Sequence, residues 1–196
     1  AYNAEKYIYE AVNCILSQTY KNFELLIADD CSKDNTREII LGFSDKRIRF
    51  FSNKINQGYL KSCNMLFSYC NGDIVTFQDA DDISTIDRIE KQVYEFLRDT
   101  DVEICTTNSF IMDNNGEIIM ARKWPIDYQK FRFDPNYNTI ICGATIMLKN
   151  ELLKEAGFYH EYFNRIGGED IEWFFRCVCK SVKCIHISEE LYFYRV

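Results

Sequence analysis

The chain has 196 residues, 47% of them hydrophobic, which is enough for one sizeable core and short for two. Its 23 basic and 30 acidic residues leave a formal charge of −7, which excludes the broad basic field that a nucleic-acid surface needs. No run reaches the length of a membrane-spanning helix and no signal peptide is read in it, so membrane association is open only through an upstream segment. Nine cysteines are scattered without a C-x-x-C pair, so neither a zinc site nor a disulfide framework is expected. Buried, reduced thiols of this kind point to the cytoplasm.

In chain order, Ile8, Ala11, Val12, Ile15 and Leu16 fall on one helical face, and residues 23–28 read as a buried strand. Ser32 or Asp34 can cap a helix carrying Ile39, Ile40 and Phe43, after which residues 47–51 alternate like a half-exposed strand. Gly58 precedes a helix with Leu60, Cys63, Leu66, Phe67 and Cys70 inward; Gly72 stops it before a strand at 74–77. This βαβα order predicts an α/β fold, a mostly parallel central sheet with helices on both faces.

Ser84-Thr85-Ile86-Asp87 predicts a capping-box start for a helix bearing Ile86, Ile89, Val93, Phe96 and Leu97. Strands are expected at 102–107 and 111–112, followed by a tight turn at Asn114-Asn115-Gly116 into residues 117–120. Residues 122–138, with both prolines, read as a long loop of the kind that carries function. A strand at 139–148, a short helix stopped by Gly157, a Gly-Gly loop, a helix after Asp170 and a strand at 191–195 complete the chain.

Two acidic clusters stand out. Asp79-Ala80-Asp81-Asp82 follows the apolar run Ile74-Val75-Thr76-Phe77, which places carboxylates at the carboxyl edge of a strand, where α/β sheets bind ligands. Hard oxygen donors of this kind suit Mg²⁺ or Mn²⁺. Gly167-Gly168-Glu169-Asp170 opens a helix and offers a separate base. An EF-hand would also use Asp79, Asp81 and Glu90, but Ile83 and Ser84 stand where an oxygen ligand and the turn glycine are required. Lys61, one turn into its helix, could reach a phosphate, although such a lysine is often only solvated. Arg88 has the same two readings, its bland one a salt bridge near Asp82. His160 and His186 are too few for a histidine-rich metal site, and Trp173 is either a core residue or a sugar-stacking ring.

Ala1-Tyr2-Asn3-Ala4, the run from Asp29-Asp30-Cys31-Ser32 to Thr36, Asn56-Gln57-Gly58 and the two acidic clusters occur in that order. Together they resemble the inverting glycosyltransferases of family 2, which have a GT-A fold and use nucleotide sugars. The resemblance implies one catalytic domain over 1–196, with a nucleotide-sugar-binding half at 1–98 and an acceptor-binding half at 99–196, lacking a first strand and a C-terminal extension. It implies that Asp81 binds the metal and Asp79 helps hold the donor sugar, ribose or metal waters. Asp30 then addresses the base beside Tyr2, while Asp29 is a turn residue. Asp170 becomes the general base and Glu169 an acceptor contact. The implied partners are a nucleotide-sugar donor, with UDP expected, and a glycan or lipid-linked acceptor at the inner face of the membrane. A catalytically silent nucleotide-sugar-binding domain and a nucleotidyltransferase are the alternatives, the latter lacking its glycine-rich basic loop here.

Overall fold

The computed structural model describes residues 1–123, 127–134, 142–180 and 182–196. Its elements in chain order are α1 (Ile8–Leu16), β1 (Leu25–Asp29), α2 (Thr36–Leu41), β2 (Ile48–Ser52), α3 (Tyr59–Ser68), β3 (Ile74–Thr76) and β4 (Ile83–Ser84). They continue with α4 (Arg88–Arg98), β5 (Val102–Met112), β6 (Ile118–Arg122), α5 (Tyr128–Phe133), β7 (Met147–Lys149), α6 (Asn150–Ala156), α7 (Glu169–Val178) and β8 (Lys183–Arg195). Short 3-10 turns at Gly143–Thr145 and Glu161–Phe163 precede β7 and α7.

β1 and β2 pair in parallel, Leu25 opposite Ile48 through Asp29 opposite Ser52. The larger sheet runs β3-β7-β5-β8-β4, with β6 added to β5. In it, among the described residues, the long β5–β8 ladder is parallel and the four shorter pairings are antiparallel; over both sheets together, parallel register pairs outnumber antiparallel ones. Both halves of the chain build this sheet, because β3 and β4 pair with β7 and β8. α1 buries Ile8, Ala11, Val12 and Ile15, the spacing of one helical face, and Ile8 and Val12 pack with Ile27 and Ile40. A second core gathers Phe67, Leu148, Leu152, Phe174 and Trp173. Trp173 is fully buried and donates from Nε1 to Gly157 O at 2.9 Å, which settles it as a core residue.

Three elements differ from expectation. No capping box starts α4: residues 83–84 pair with β8 as a strand, Thr85 N bonds Leu191 O, and the helix begins at Arg88. Ile86 and Leu97 consequently face solvent, while Ile89, Val93 and Phe96 point inward. β5 is one continuous strand instead of two, since Thr106, Thr107, Asn108 and Ser109 are buried in the β8 ladder despite their polarity. The strand expected at 139–148 is broken by the 3-10 turn at Gly143–Thr145, leaving β7 alone in its described part. Within the expected long loop, β6 reaches Arg122 and α5 occupies Tyr128–Phe133; Pro125 and Pro135 lie outside the described residues.

β1 and β3 are both edge strands and line the same cleft of about 1580 Å³ without bonding each other. At the carboxyl end of β1, Ala1 N donates to Ala28 O at 2.6 Å and Asp30 N donates to Ala1 O at 2.8 Å, the pattern of a parallel ladder.

Candidate functional site

The cleft is built where β1, β3 and α7 meet the loops that follow or precede them. It is lined by Tyr2 and Asp30, by Asp79 and Asp81, and by Glu169 and Asp170, so six of the seven residues singled out in sequence share one cavity. Lys61 is the exception. Its ammonium lies 3.5 Å from Glu161 on the surface and does not line the cleft, so the phosphate role has no geometric support.

The first corner is a knot between two early motifs. Asn3 Oδ1 accepts from Lys33 N, Ala4 N donates to Thr36 Oγ1 at 2.7 Å, and Glu5 Oε2 accepts from Asn35 N. Asn3 and Cys31 hold left-handed backbone angles, φ 48° and 64°, that bend both segments together. Tyr2 is left half-exposed at the cleft. Asp29 is buried and accepts from Ser32 N at 3.2 Å, turn chemistry as expected.

Asp30 does more than sequence reasoning assigned. Its Oδ1 accepts from Asn53 Nδ2 at 2.7 Å and Gln57 N at 2.9 Å, and its Oδ2 accepts from Gly58 N at 2.8 Å. These bonds fold residues 56–58 against β1 and leave one of the carboxylate's four acceptor positions for a ligand. Asp30→Ala would strand buried donors at about 1–3 kcal/mol each. The variant is therefore expected to lose several degrees of melting temperature; a melting curve superimposed on wild type would remove the loop-organising role.

The second corner is the acidic turn after β3. Gln78 Nε2 donates to Asp82 O at 2.8 Å, Asp79 N donates to the Tyr192 hydroxyl at 3.1 Å, and Arg195 donates from Nε to Asp81 O at 2.7 Å and from N to Asp82 Oδ1 at 2.8 Å. The turn is thus held through its backbone and the Asp82 carboxylate, while the Asp81 carboxylate projects exposed, with no hydrogen bond from a described residue. Burial, then repulsion from Asp81, pushes the Asp79 carboxyl up to about 6. Burial also pushes Asp82 up to about 7, and its Oδ2 is buried without a hydrogen-bond partner among the described residues. Glu90, the third EF-hand ligand, instead accepts from Thr19 Oγ1 at 2.8 Å on α4.

The third corner is the start of α7, entered through Gly167 and Gly168 at φ 90° and 87°, left-handed angles that glycine adopts freely. Asp170 does not cap the helix: it is the second helical residue, and its Oδ1 accepts from Ile171 N at 2.8 Å. Burial raises its carboxyl above the usual range, and its charge is close enough to add to the repulsion at Asp79.

The family of the chain follows from comparison with known proteins. Residues 1–157 match the family described as Glycosyl transferase family 2. The chain belongs to glycosyl transferase family 2. It is similar, at 34% identity over 161 residues, to the UDP-Glc:alpha-D-GlcNAc-diphosphoundecaprenol beta-1,3-glucosyltransferase WfgD of Escherichia coli, covering 81% of this chain and 61% of that protein. It is 29% identical over 198 residues to the Bacillus subtilis protein named Putative glycosyltransferase EpsE, covering 97% of this chain and 69% of that one. Among solved structures, S. aureus TarS 1-349 in complex with UDP superposes with a TM-score of 0.78 at 22% identity, over 100% of this chain and 58% of that one. The mannosyltransferase PcManGT from Pyrobaculum calidifontis, in complex with GDP-Man and Mn2+, gives 0.71 at 21% identity, over 98% and 54%. These likenesses establish the GT-A fold.

The family-2 setting gives the acidic turn a fit test for a divalent ion. Among the described residues no group of three or more His, Cys, Asp or Glu converges as a protein-only metal cage. Mg²⁺ does not require one, since it is commonly held by one or two carboxylates with phosphates and waters completing its shell. Asp79 and Asp81 supply such a pair, and after burial the repulsion between them, which helps to raise the Asp79 carboxyl, is what a cation there would offset. The residues therefore fit the ion. One consequence is a stability gain on their removal. In metal-free protein, Asp79 is charged at a cost above about pH 6, a cost that fades as pH falls and vanishes below the ordinary carboxyl value of 3.8. Asp79→Asn is expected to stabilise the metal-free fold at pH 7 by about 1–3 kcal/mol. Denaturant curves in EDTA at pH 7 and pH 3.5 check this; a gain equal at both pH values would point to packing instead.

Sequence reasoning passed over three residues of the site. Arg195 stitches the acidic turn, Arg165 lines the cleft and donates to Asn56 Oδ1 at 2.8 Å, and Gly143 lies against Asp170. None of the three carried a sequence signal for its role. Among the histidines, His186 is packed in β8, its Nδ1 2.9 Å from Thr106 Oγ1 and its Nε2 3.0 Å from Asn108 Oδ1, whereas His160 accepts from Tyr162 N through Nδ1 at 3.3 Å.

Proposed function

We propose that this domain transfers a sugar, with inversion, from a UDP-sugar to a hydroxyl of a lipid-linked or glycan acceptor. The observation that carries the proposal is the single cleft that gathers a base corner at Tyr2 and Asp30, a diphosphate corner at Asp79 and Asp81, and a proton acceptor at Asp170. The printed names of WfgD, a UDP-glucose enzyme acting on a diphosphoundecaprenol acceptor, and of the TarS–UDP complex support the choice of donor and acceptor class. Such an acceptor also places the protein peripherally at the cytoplasmic membrane face; no helix of the described residues is long and apolar enough to cross a bilayer.

In this reading, Asp30 accepts an N–H of the base with its remaining lone pair, and Tyr2 covers the base. Asp79 and Asp81 hold Mg²⁺ or Mn²⁺, which when bound neutralises charge on the departing diphosphate. Asp170 takes the acceptor hydroxyl's proton as that oxygen bonds the anomeric carbon. The bond from that carbon to the diphosphate oxygen breaks, and its electron pair leaves with UDP. The raised carboxyl of Asp170 makes it a better base than an exposed aspartate. Glu169, beside it in the cleft, holds acceptor hydroxyls.

The proposal is tested by a thermal-shift panel of nucleoside diphosphates and nucleotide sugars with and without Mn²⁺, since ligands of the folded state raise its melting temperature. UDP and one UDP-sugar are expected to give Mn²⁺-dependent shifts. Shifts equal for every nucleotide and independent of Mn²⁺ would overturn the donor assignment. Binding of the UDP-sugar without turnover in the full-length protein would replace transfer by a binding role.

A further inference from the structure

Arg88 begins α4 fully buried, yet among the described residues no carboxylate lies within ion-pair distance of it, and its Nε has no hydrogen-bond partner. The expected salt bridge to Asp82 is not made. Nη2 instead donates to Phe77 O at 2.7 Å and Thr76 Oγ1 at 2.9 Å, at the end of β3, and Nη1 donates to Ala144 O at 2.9 Å in the 3-10 turn. The guanidinium carbon sits 5.1 Å from the centre of the Tyr192 ring, whose hydroxyl accepts from Asp79 N.

The two carbonyl partners each lie one or two residues from a residue of the site. Phe77 precedes Asp79 by two. Ala144 follows Gly143, where an added Cβ would meet Asp170 Cβ at 3.1 Å and Oδ2 at 3.3 Å. A buried cation without an anion costs the fold free energy, so its retention is explained by what its planar fork joins. Lysine has the charge but not the two-armed geometry.

We infer that Arg88 is a positioning residue that fixes the separation between the diphosphate corner at Asp79 and the proton acceptor Asp170. One arm holds the end of β3 and Phe77, just ahead of Asp79, and the other holds the turn on which Asp170 rests. Gly143 is the second half of the same device, because only a hydrogen in place of Cβ lets the turn approach Asp170 without displacement. The inference rests on the transfer reading above, and it concerns geometry at the chemical step, where about 1 Å of misplacement costs roughly 10²-fold in rate.

The test uses the full-length protein, Mn²⁺, and UDP release from UDP-glucose, UDP-galactose and UDP-N-acetylglucosamine with water as acceptor. Arg88→Lys is expected to bind UDP and Mn²⁺ within about threefold of wild type by calorimetry, while kcat for the hydrolysed donor falls about 10²-fold and KM changes little. Gly143→Ala is expected to show the same split. The double variant should lose about as much as either single one, since both act on one separation. A kcat within threefold of wild type in either folded variant overturns the inference, as do losses that multiply in the double variant or KM changes that account for the whole effect. If Arg88→Lys fails to melt cooperatively, Gly143→Ala carries the test, its backbone being open to alanine. Wild-type protein that neither binds UDP nor releases it from any of the three donors overturns the transfer reading and this inference with it. Wild-type turnover with unaffected variants overturns this inference alone.

Discussion

Asp170→Asn in the full-length protein is expected to lower sugar transfer by about 10²–10⁴-fold, the usual scale for loss of a general base, while UDP and Mn²⁺ binding stay within about threefold of wild type. The structure narrows what the substitution changes. Asp170 Oδ1 accepts from Ile171 N, a bond that an asparagine carbonyl can also accept, and the side chain is not the helix cap. Asparagine has the same size against Gly143, so the close approach there survives. It cannot take a proton at any pH in the working range. In wild type, a carboxyl raised by burial makes transfer fall as pH drops below its titration, because the protonated form is no base. The asparagine variant should lose that acidic limb along with its rate. Wild-type turnover in Asp170→Asn, with a true acceptor, would sink the assignment. A parallel loss of UDP binding would assign the residue to the pocket's architecture instead.

What the sequence made legible was chemistry at element ends. Asp79 and Asp81 stood out because an apolar run stops at them, and Glu169-Asp170 because a Gly-Gly pair introduces a helix. The packing between distant segments was not legible. Asp30 looked like a ligand contact, but its first partners are the amides of Gln57 and Gly58, 27 and 28 residues on, which no local pattern announces. Residues 108–110 separate the two expected strands, because the polarity of Asn108 and Ser109 normally marks a surface; β5 runs through them and buries both, with Asn108 Nδ2 bonding Ser188 O. Lys61 and Arg88 looked alike as cations near the start of helices. Only tertiary structure separates them, leaving one paired with Glu161 at the surface and burying the other between two corners of the site. Periodicity reports which face of an element is apolar, and it carries no record of which carbonyl a buried guanidinium will find.

Asp81→Ala is expected to abolish the Mn²⁺-dependent part of UDP affinity. The turn that presents Asp81 is organised by the Asp81 carbonyl and the Asp82 carboxylate, with Arg195 Nε on Asp81 O and Arg195 N on Asp82 Oδ1, so truncating the exposed Asp81 side chain leaves those bonds in place and the fold intact. The carboxylate itself has no described hydrogen-bond donor, which leaves it available to a cation. Loss of a mere second-layer partner commonly costs about 10–100-fold in metal affinity, and removal of a direct ligand should cost at least as much. Burial still holds the Asp79 carboxyl up, but one negative charge is gone from the corner, so the variant should bind UDP alone slightly better than metal-free wild type. Calorimetric titration of UDP with Mn²⁺ and with EDTA, at pH 7.5 for both proteins, reads these effects together. An unchanged difference between the two conditions in Asp81→Ala would remove Asp81 from the metal site, and equal weakening in both would mark a damaged pocket. A lost Mn²⁺ increment with EDTA affinity retained would make Asp81 one of the residues that would hold the ion.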